Sequence, residues 1–410
     1  MSTDVLFVNG DLVLSDRVQS ATHLLIGGAR IVAIGPDGDH PSAHHAQSPS
    51  VGGAHVIDAR DHYIVPGYVD LHVHGGAGAD FMDGTAEAFY TIRAAHARHG
   101  TTSLLPTSTA ARPEQILAML TECSRQRLAD DGRGARVLGA HLYGPYFRAE
   151  ARGCHPGDGV RPPVVQEYEK YLELAAAIAT ASVAPELPGA EAFARACVAR
   201  GIRMNAGHSH ATFEQAEQAI GWGVRHVDHL FCAMSDRARL RQSQPFPMRG
   251  GLLEATLYFD ELTTEVIADG RHLAPELLRL AYKVKGPDRL ALVTDANRAL
   301  DMPDGPYMFG PRDGGEPILR RDDVGLMPDG QALASGVQGM DHLVRTFIKA
   351  TGCPLWEVVR MASLTSARIA GWDHELGSIA VGKRADLLLL DRALNVRQVF
   401  LGGQRFAALP

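Results

Sequence analysis

The sequence lacks the features of secreted, membrane-spanning or nucleic-acid-binding chains. Its five cysteines (Cys123, Cys154, Cys197, Cys232 and Cys353) are scattered and odd in number. None is spaced C-x-x-C, which argues against a disulfide framework or a zinc knuckle. No apolar run reaches the length needed to span a bilayer. The opening "MSTDVLFVNGDLVL" has neither the charged start nor the apolar stretch of a signal peptide. Lys and Arg number 40 against 47 Asp and Glu, a net charge of −7 that offers no basic surface to nucleic acid or anionic lipid. Hydrophobic residues at 45% and charged residues at 21% fit an ordinary globular chain. The expectation is a cytoplasmic enzyme acting on a small molecule.

The chain changes texture twice. Residues 4–35 alternate as strands, with turns at Asn9-Gly10 and Gly27-Gly28. Residues 36–54 are rich in Pro, Ser, Gly and His and read as a surface loop. From residue 64, apolar runs such as "YIVPGYVDLHVH", "TTSLLPT", "RVLGAHLYG", "SVAPE", "RMNAGHS" and "RLALVTDA" alternate with helical stretches over 86–99, 113–128, 165–179, 190–200, 212–221 and 274–284. Fully apolar strands alternating with amphipathic helices predict a parallel sheet covered by helices. About eight such units over roughly 300 residues fit a (β/α)₈ barrel. No G-x-G-x-x-G or Walker pattern opens a helix, which disfavours a dinucleotide fold. The tail returns to short strands with Gly turns. The expected architecture is a small β-sandwich from residues 1–63 and 375–410 around a barrel at 64–374.

Histidine, with 19 residues, is the one conspicuous abundance, and its placement carries the chemistry. His72 and His74 end the first barrel strand in "DLHVH". Residues two apart on a strand share a face, so both imidazoles can reach one ion. His208 ends "RMNAGHS", His229 ends "RHVDHLF" and Asp295 ends "LALVTDA". Polar residues at the C-terminal ends of barrel strands are where such a fold builds its active site. Imidazoles with a carboxylate suit Zn²⁺ or a similar divalent ion. An ion of this kind acidifies water and polarises a carbonyl, and Asp295 can move protons between water and a leaving amine. The set predicts hydrolysis of an amide or related C–N bond.

With "VPGYVDLHVHG" opening the barrel and "GSIAVGKRADLLLLD" near the end, the chain resembles the amidohydrolase superfamily. The segments "PGYVDLHVHGGAG", "GTTSLLPT", "GAHLYGPYF", "RGCHP", "APE", "AGHSHAT", "HVDHLFCAM", "IADGRH" and "LVTDA" follow in the order found in N-acetylglucosamine-6-phosphate deacetylases. That resemblance implies a cytoplasmic dimer with one or two divalent metals that releases acetate from a phosphorylated amino sugar. It implies metal ligands at His208 and His229, a second site at His72 and His74, and acid/base catalysis by Asp295. It also implies substrate contacts from His155, His272, Cys232 and Ala233.

Two positions depart from the family pattern. "HLEGPF" becomes "HLYGPYF", so Tyr143 stands where a metal-binding Glu is expected. "HLFNAM" becomes "HLFCAM", so Cys232 replaces an Asn that helps hold the sugar phosphate. The following "SDRARLRQSQPFPMRGG" also differs from the family's short phosphate loop; Arg239, Arg241 and Arg249 are its candidate anion binders. A neutral phenol ligates Zn²⁺ poorly, because ligation needs deprotonation. We therefore expect one metal on His72, His74, His208 and Asp295, with His229 free to donate to substrate. Tyr143 either donates to the developing oxyanion or shapes the pocket wall. Glu186 in "APE" reads as structural or as a support for the ligands. A single-metal deaminase-like hydrolase and a catalytically inactive binding relative remain the alternatives.

Overall fold

The computed structural model describes residues 4–36, 50–51, 54–129, 131–243 and 246–407. The histidine-containing loop expected over 36–54 lies, between 37 and 49, outside the described residues. Eight parallel strands form the centre: β1 (Tyr68–Val73), β2 (Thr101–Pro106), β3 in two pieces (Arg136–Val137 and Ala140–Leu142), β4 (Ile178–Val183), β5 (Arg203–Ala206), β6 (Val224–Val227), β7 (Thr263–Val266) and β8 (Leu290–Leu292). Each pairs in parallel with the next. A bridge from Val73 to Ala296 closes the ring. Gly139, at φ 146°, breaks β3, so its first piece pairs with β2 and its second with β4. Asp70 fastens the closure: its carboxylate accepts from the Thr294 hydroxyl at 2.6 Å and the Thr294 N–H at 3.2 Å.

Helices cover the barrel because one side of each is apolar and must be buried. Ala86–Arg98 buries Phe89 and Ile92, and starts at Thr85, whose side chain accepts from the Ala88 N–H at 3.2 Å. Phe213–Trp222 starts with a reciprocal pair in which Thr212 and Gln215 cap one another. The helix expected over 165–179 stops at Leu172, because Ile178–Val183 is taken into the barrel as β4. After β8 the chain adds a feature not expected from sequence, a three-stranded antiparallel sheet of Gly305–Phe309, Glu316–Arg321 and Val324–Leu326.

Both chain ends build one nine-stranded sheet. Its strand Val5–Val13 pairs with three others: antiparallel with Val18–Gly27, parallel with Ala54–Asp58 through its first half, and parallel with His62–Pro66 beyond it. His62–Pro66 also pairs with Leu387–Asp391 from the far end of the chain. Phe7, Leu24, Ile64, Leu387 and Phe400 pack between the two arms of the fork. His62–Pro66 straddles the boundary expected at residue 63 and lies wholly in this sheet. No helix among the described residues is long and apolar enough to cross a membrane.

An ion cluster ties the first covering helix to two distant segments. His99, just past Ala86–Arg98, sits 2.9 Å from Asp341 through Nδ1 and 2.9 Å from Asp301 through Nε2. Burial works to lower its pKa, but the bonds to Asp301 and Asp341 overcome that and raise it to about 9. A raised histidine stabilises the fold fully below its ordinary value of 6.5, and that contribution fades as pH climbs through about 9. The urea midpoint should therefore fall between pH 6.5 and 9.5, and His99→Gln should remove most of that slope; an equal slope in the variant would refute the assignment.

Candidate active site

The strand order places six side chains around the C-terminal mouth of the barrel. His72 lies in β1 and His74 follows it; Tyr143 follows β3, while His208, His229 and Asp295 lie two or three residues beyond β5, β6 and β8. His208, His229 and Asp295 all adopt positive φ, at 46°, 22° and 45°. Such backbone costs about 1–3 kcal/mol per residue and persists where surrounding structure enforces it. Gly207 allows one such turn: a Cβ there would lie 2.4 Å from Asp228 Oδ2.

The mouth encloses a cavity of about 290 Å³. Of the residues singled out in the sequence, His74, Tyr143, His155, His208, His229, Cys232, Ala233, His272 and Asp295 line it. His72 lies beneath, fully buried. Arg239, Arg241 and Arg249, the candidate anion binders, do not line the cavity. Arg249 is held by Glu214 at 2.5 Å, and Arg239 and Arg241 are exposed on or just beyond the short helix Arg237–Leu240. Two arginines stand near His210, just after His208. The Arg148 N–H donates to the His208 carbonyl, and the charges of Arg239 and Arg148 add to burial in lowering the pKa of His210.

His72, His74 and Asp295 form a compact group whose potential ligand atoms lie within 4.8 Å of one another. His72 Nε2 is 3.6 Å and His74 Nε2 is 3.2 Å from Asp295 Oδ1. Burial would raise the Asp295 pKa, but His72, His74 and His229 hold it well below the usual carboxylate range. Burial likewise opposes charge on His72, and Asp295 and Glu265 overcome it, raising its pKa to about 9. This pocket is built to hold positive charge. His72 Nε2 is buried with no hydrogen-bond partner. An ionised carboxylate, two imidazoles and that unsatisfied nitrogen fit a divalent cation.

His208, the fourth member of the expected ligand set, lies outside this compact group and lines the same cavity. It donates from Nδ1 to the Ala151 carbonyl at 2.6 Å, and its Nε2 faces His229 Nε2 at 3.2 Å. Nor is His229 free. The Tyr143 hydroxyl lies 2.5 Å from His229 Nε2, in a side chain only 1% exposed. Burial, with the charges of Asp228, Asp295 and Glu265, pushes the Tyr143 phenol well above its ordinary range. The phenol therefore keeps its proton and donates it to His229, so the donor expected for an oxyanion is already committed.

The remaining lining residues present definite hydrogen-bonding edges. His155 Nδ1 accepts from the Ala110 N–H at 3.2 Å, leaving its proton on Nε2. Burial, reinforced by His208 and His74, lowers its pKa well below the usual value, so the ring is neutral. His272 donates from Nδ1 to Asp269 at 2.7 Å, and Asp269 is pinned by the N–H groups of Arg271 and His272. Asp269 was not singled out in the sequence, although a carboxylate three residues before a histidine in a strand-end loop is a readable signal. Phe309 and Ser335, contributed by the region after β8, complete the wall. Glu186 accepts from Ser209 and the His210 N–H, a structural role.

Known proteins match this chain over most of its length. The Amidohydrolase family pattern covers residues 63–406. The chain is 34% identical to the N-acetylgalactosamine-6-phosphate deacetylase of Escherichia coli O157:H7, over 83% of this chain and 87% of that one. It is 31% identical to the N-acetylglucosamine-6-phosphate deacetylase of Vibrio furnissii, over 83% and 82%. The structure of the Pasteurella multocida N-acetylglucosamine-6-phosphate deacetylase superposes with a TM-score of 0.88 at 29% identity, covering 98% of this chain and 100% of that one.

The Tyr143–His229 bond should be measurable on its own. Tyr143→Phe leaves His229 Nε2 buried without its donor and should cost about 1–3 kcal/mol in equilibrium unfolding. Unchanged stability would show that the bond contributes nothing.

Proposed function

Because this chain belongs to the amidohydrolase family, we propose that it is a metal-dependent hydrolase that removes the acetyl group of an N-acetylhexosamine 6-phosphate. The observation that carries the reading is the convergence of His72, His74 and Asp295 at the mouth of the barrel, beside a cavity walled by His155 and His272. When bound by those three residues, a divalent ion supplies Lewis acidity that polarises an amide carbonyl and lowers the pKa of water.

The chain's own residues supply the rest. Asp295, ionised and held by His74, accepts a proton from the attacking water and returns it to the departing nitrogen. His155 offers its Nε2–H to an oxygen of the sugar or the acyl group. His272, fixed by Asp269, orients a second polar group of the substrate. Tyr143 and His229 act as a bonded pair that shapes the wall over the acetyl group. Arg148 and Arg239 supply the positive charge for a phosphate, with the neutral His210 between them as a hydrogen-bonding group, since no arginine lines the cavity itself.

The same geometry favours one ion per chain. The Tyr143 hydroxyl occupies His229 Nε2, so the His208 and His229 side keeps one open imidazole nitrogen, on His208, and lacks the carboxylate of a second site.

Acetate release should be seen with N-acetylglucosamine 6-phosphate or N-acetylgalactosamine 6-phosphate, with the unphosphorylated sugars turned over more slowly. Release of ammonia instead would overturn the deacetylase reading. Asp295→Asn should lower kcat/KM by about 10²–10⁴-fold. Metal analysis of the purified protein should find one tightly held equivalent; two would sink the single-ion assignment.

A further inference from the structure

Directly beneath the cavity, one buried acid has no part in the chemistry above. Glu265 lies in β7 and is 1% exposed. Its Oε1 accepts from His72 Nδ1 at 2.7 Å and its Oε2 accepts from His226 Nε2 at 3.1 Å. The His229 backbone N–H also points to Oε1, at 3.4 Å. One carboxylate thus touches a proposed ligand, the backbone of a cavity-lining histidine, and a third imidazole deeper in the barrel. His226 continues the chain of contacts, with Nδ1 2.8 Å from Thr263 Oγ1, to a cavity at the opposite end of the barrel.

His72, Asp228 and Glu265 could in principle hold an ion of their own, since their ligand atoms lie within 4.8 Å. Their oxygens are already engaged. Asp228 accepts from the Ser182 hydroxyl at 2.6 Å and from Asn205 Nδ2 at 2.9 Å, and both Glu265 oxygens accept from imidazoles. A carboxylate pair satisfied in this way is a hydrogen-bonding scaffold.

We infer that Glu265 is a positioning residue for metal binding: it commits the His72 proton to Nδ1 and so turns the lone pair of Nε2 toward Asp295 and the ion. This rests on the metal-dependent reading above. A neutral imidazole carries one N–H, and without an anchor it can place that proton on either nitrogen and rotate. With Nδ1–H given to Glu265, the unpartnered Nε2 is left as the only available donor atom, 3.6 Å from Asp295 Oδ1. The negative charge behind the ring also strengthens its donation to a cation. A carboxylate behind a metal-bound histidine typically contributes 10–100-fold in affinity.

The test is a Zn²⁺ titration of the full chain against a competing chelator, with imidazole nitrogen NMR to assign the His72 tautomer. Glu265→Gln should weaken Zn²⁺ binding about 10–100-fold. Ser182→Ala, which opens the same buried network without touching Glu265, should leave the affinity within about twofold. Equal weakening in both variants, or none in a folded Glu265→Gln protein, would overturn the inference. If Glu265→Gln does not fold, the wild-type spectrum of the Zn²⁺-loaded protein decides: a His72 proton on Nε2 with the ion on Nδ1 refutes the assignment, and a proton on Nδ1 with the ion on Nε2 supports it. Because Zn²⁺ affinity is read without substrate, a protein that binds the ion through Glu265 yet cleaves no amide would sink the proposed function and leave this inference standing.

Discussion

Everything at the barrel mouth depends on how one buried imidazole is compensated. His72 has no contact with water, and carboxylates sit on both sides of its ring: Glu265 behind and Asp295 in front. Unpaired charge in such a place would be prohibitive. Pairing turns the cost into geometry. The ring cannot rotate without breaking a buried hydrogen bond, and the carboxylate in front cannot move without losing its cations. The barrel supplies this arrangement because alternate residues of adjacent strands face inward. Residues 70 and 72 of β1, 226 and 228 on and just after β6, and 263 and 265 of β7 are thereby stacked in the interior. The result is a polar core where most barrels of this kind hold packed branched side chains.

Tyr143 sits at the edge of this core and changes its balance. A carboxylate at the same point would add a fourth negative charge to those of Asp228, Asp295 and Glu265 and would need a cation to compensate it. A phenol adds none. It fills the space, keeps its proton and satisfies His229. Tyr143 thus places a neutral hydrogen bond where the family resemblance implies a carboxylate, while His72, His74 and Asp295 keep their own contacts.

Much of the architecture was legible in the sequence because it rests on short-range patterns. Apolar runs ending in His or Asp marked the barrel strands, and a two-residue spacing marked His72 and His74 as neighbours. What escaped was set at long range. "LAAAIATASV" has the composition of a helix, yet its second half is strand because β3 and β5 need a partner between them. The antiparallel sheet after β8 had only isolated Gly and Asp turns to announce it, although it contributes Phe309 to the cavity. Glu265 did leave a trace, the one charge inside the otherwise uncharged strand stretch "TTEVIA". Its meaning required knowing that His72, 193 positions earlier, would arrive opposite it. The arginines after Cys232 were legible in chemistry but not in place: they suit an anion, but nothing local shows that their side chains stay off the cavity wall.

The forked terminal sheet bears on how the molecule comes into being. Strand His62–Pro66 immediately precedes the barrel, yet its neighbour Leu387–Asp391 is made only after every barrel strand. During synthesis the barrel strands emerge while the edge of that early strand is still bare, an invitation to pair with another chain. Closure by Leu387–Asp391 is therefore a quality step: a chain interrupted after the barrel carries a complete set of candidate active-site residues, and also an exposed edge that marks it as unfinished.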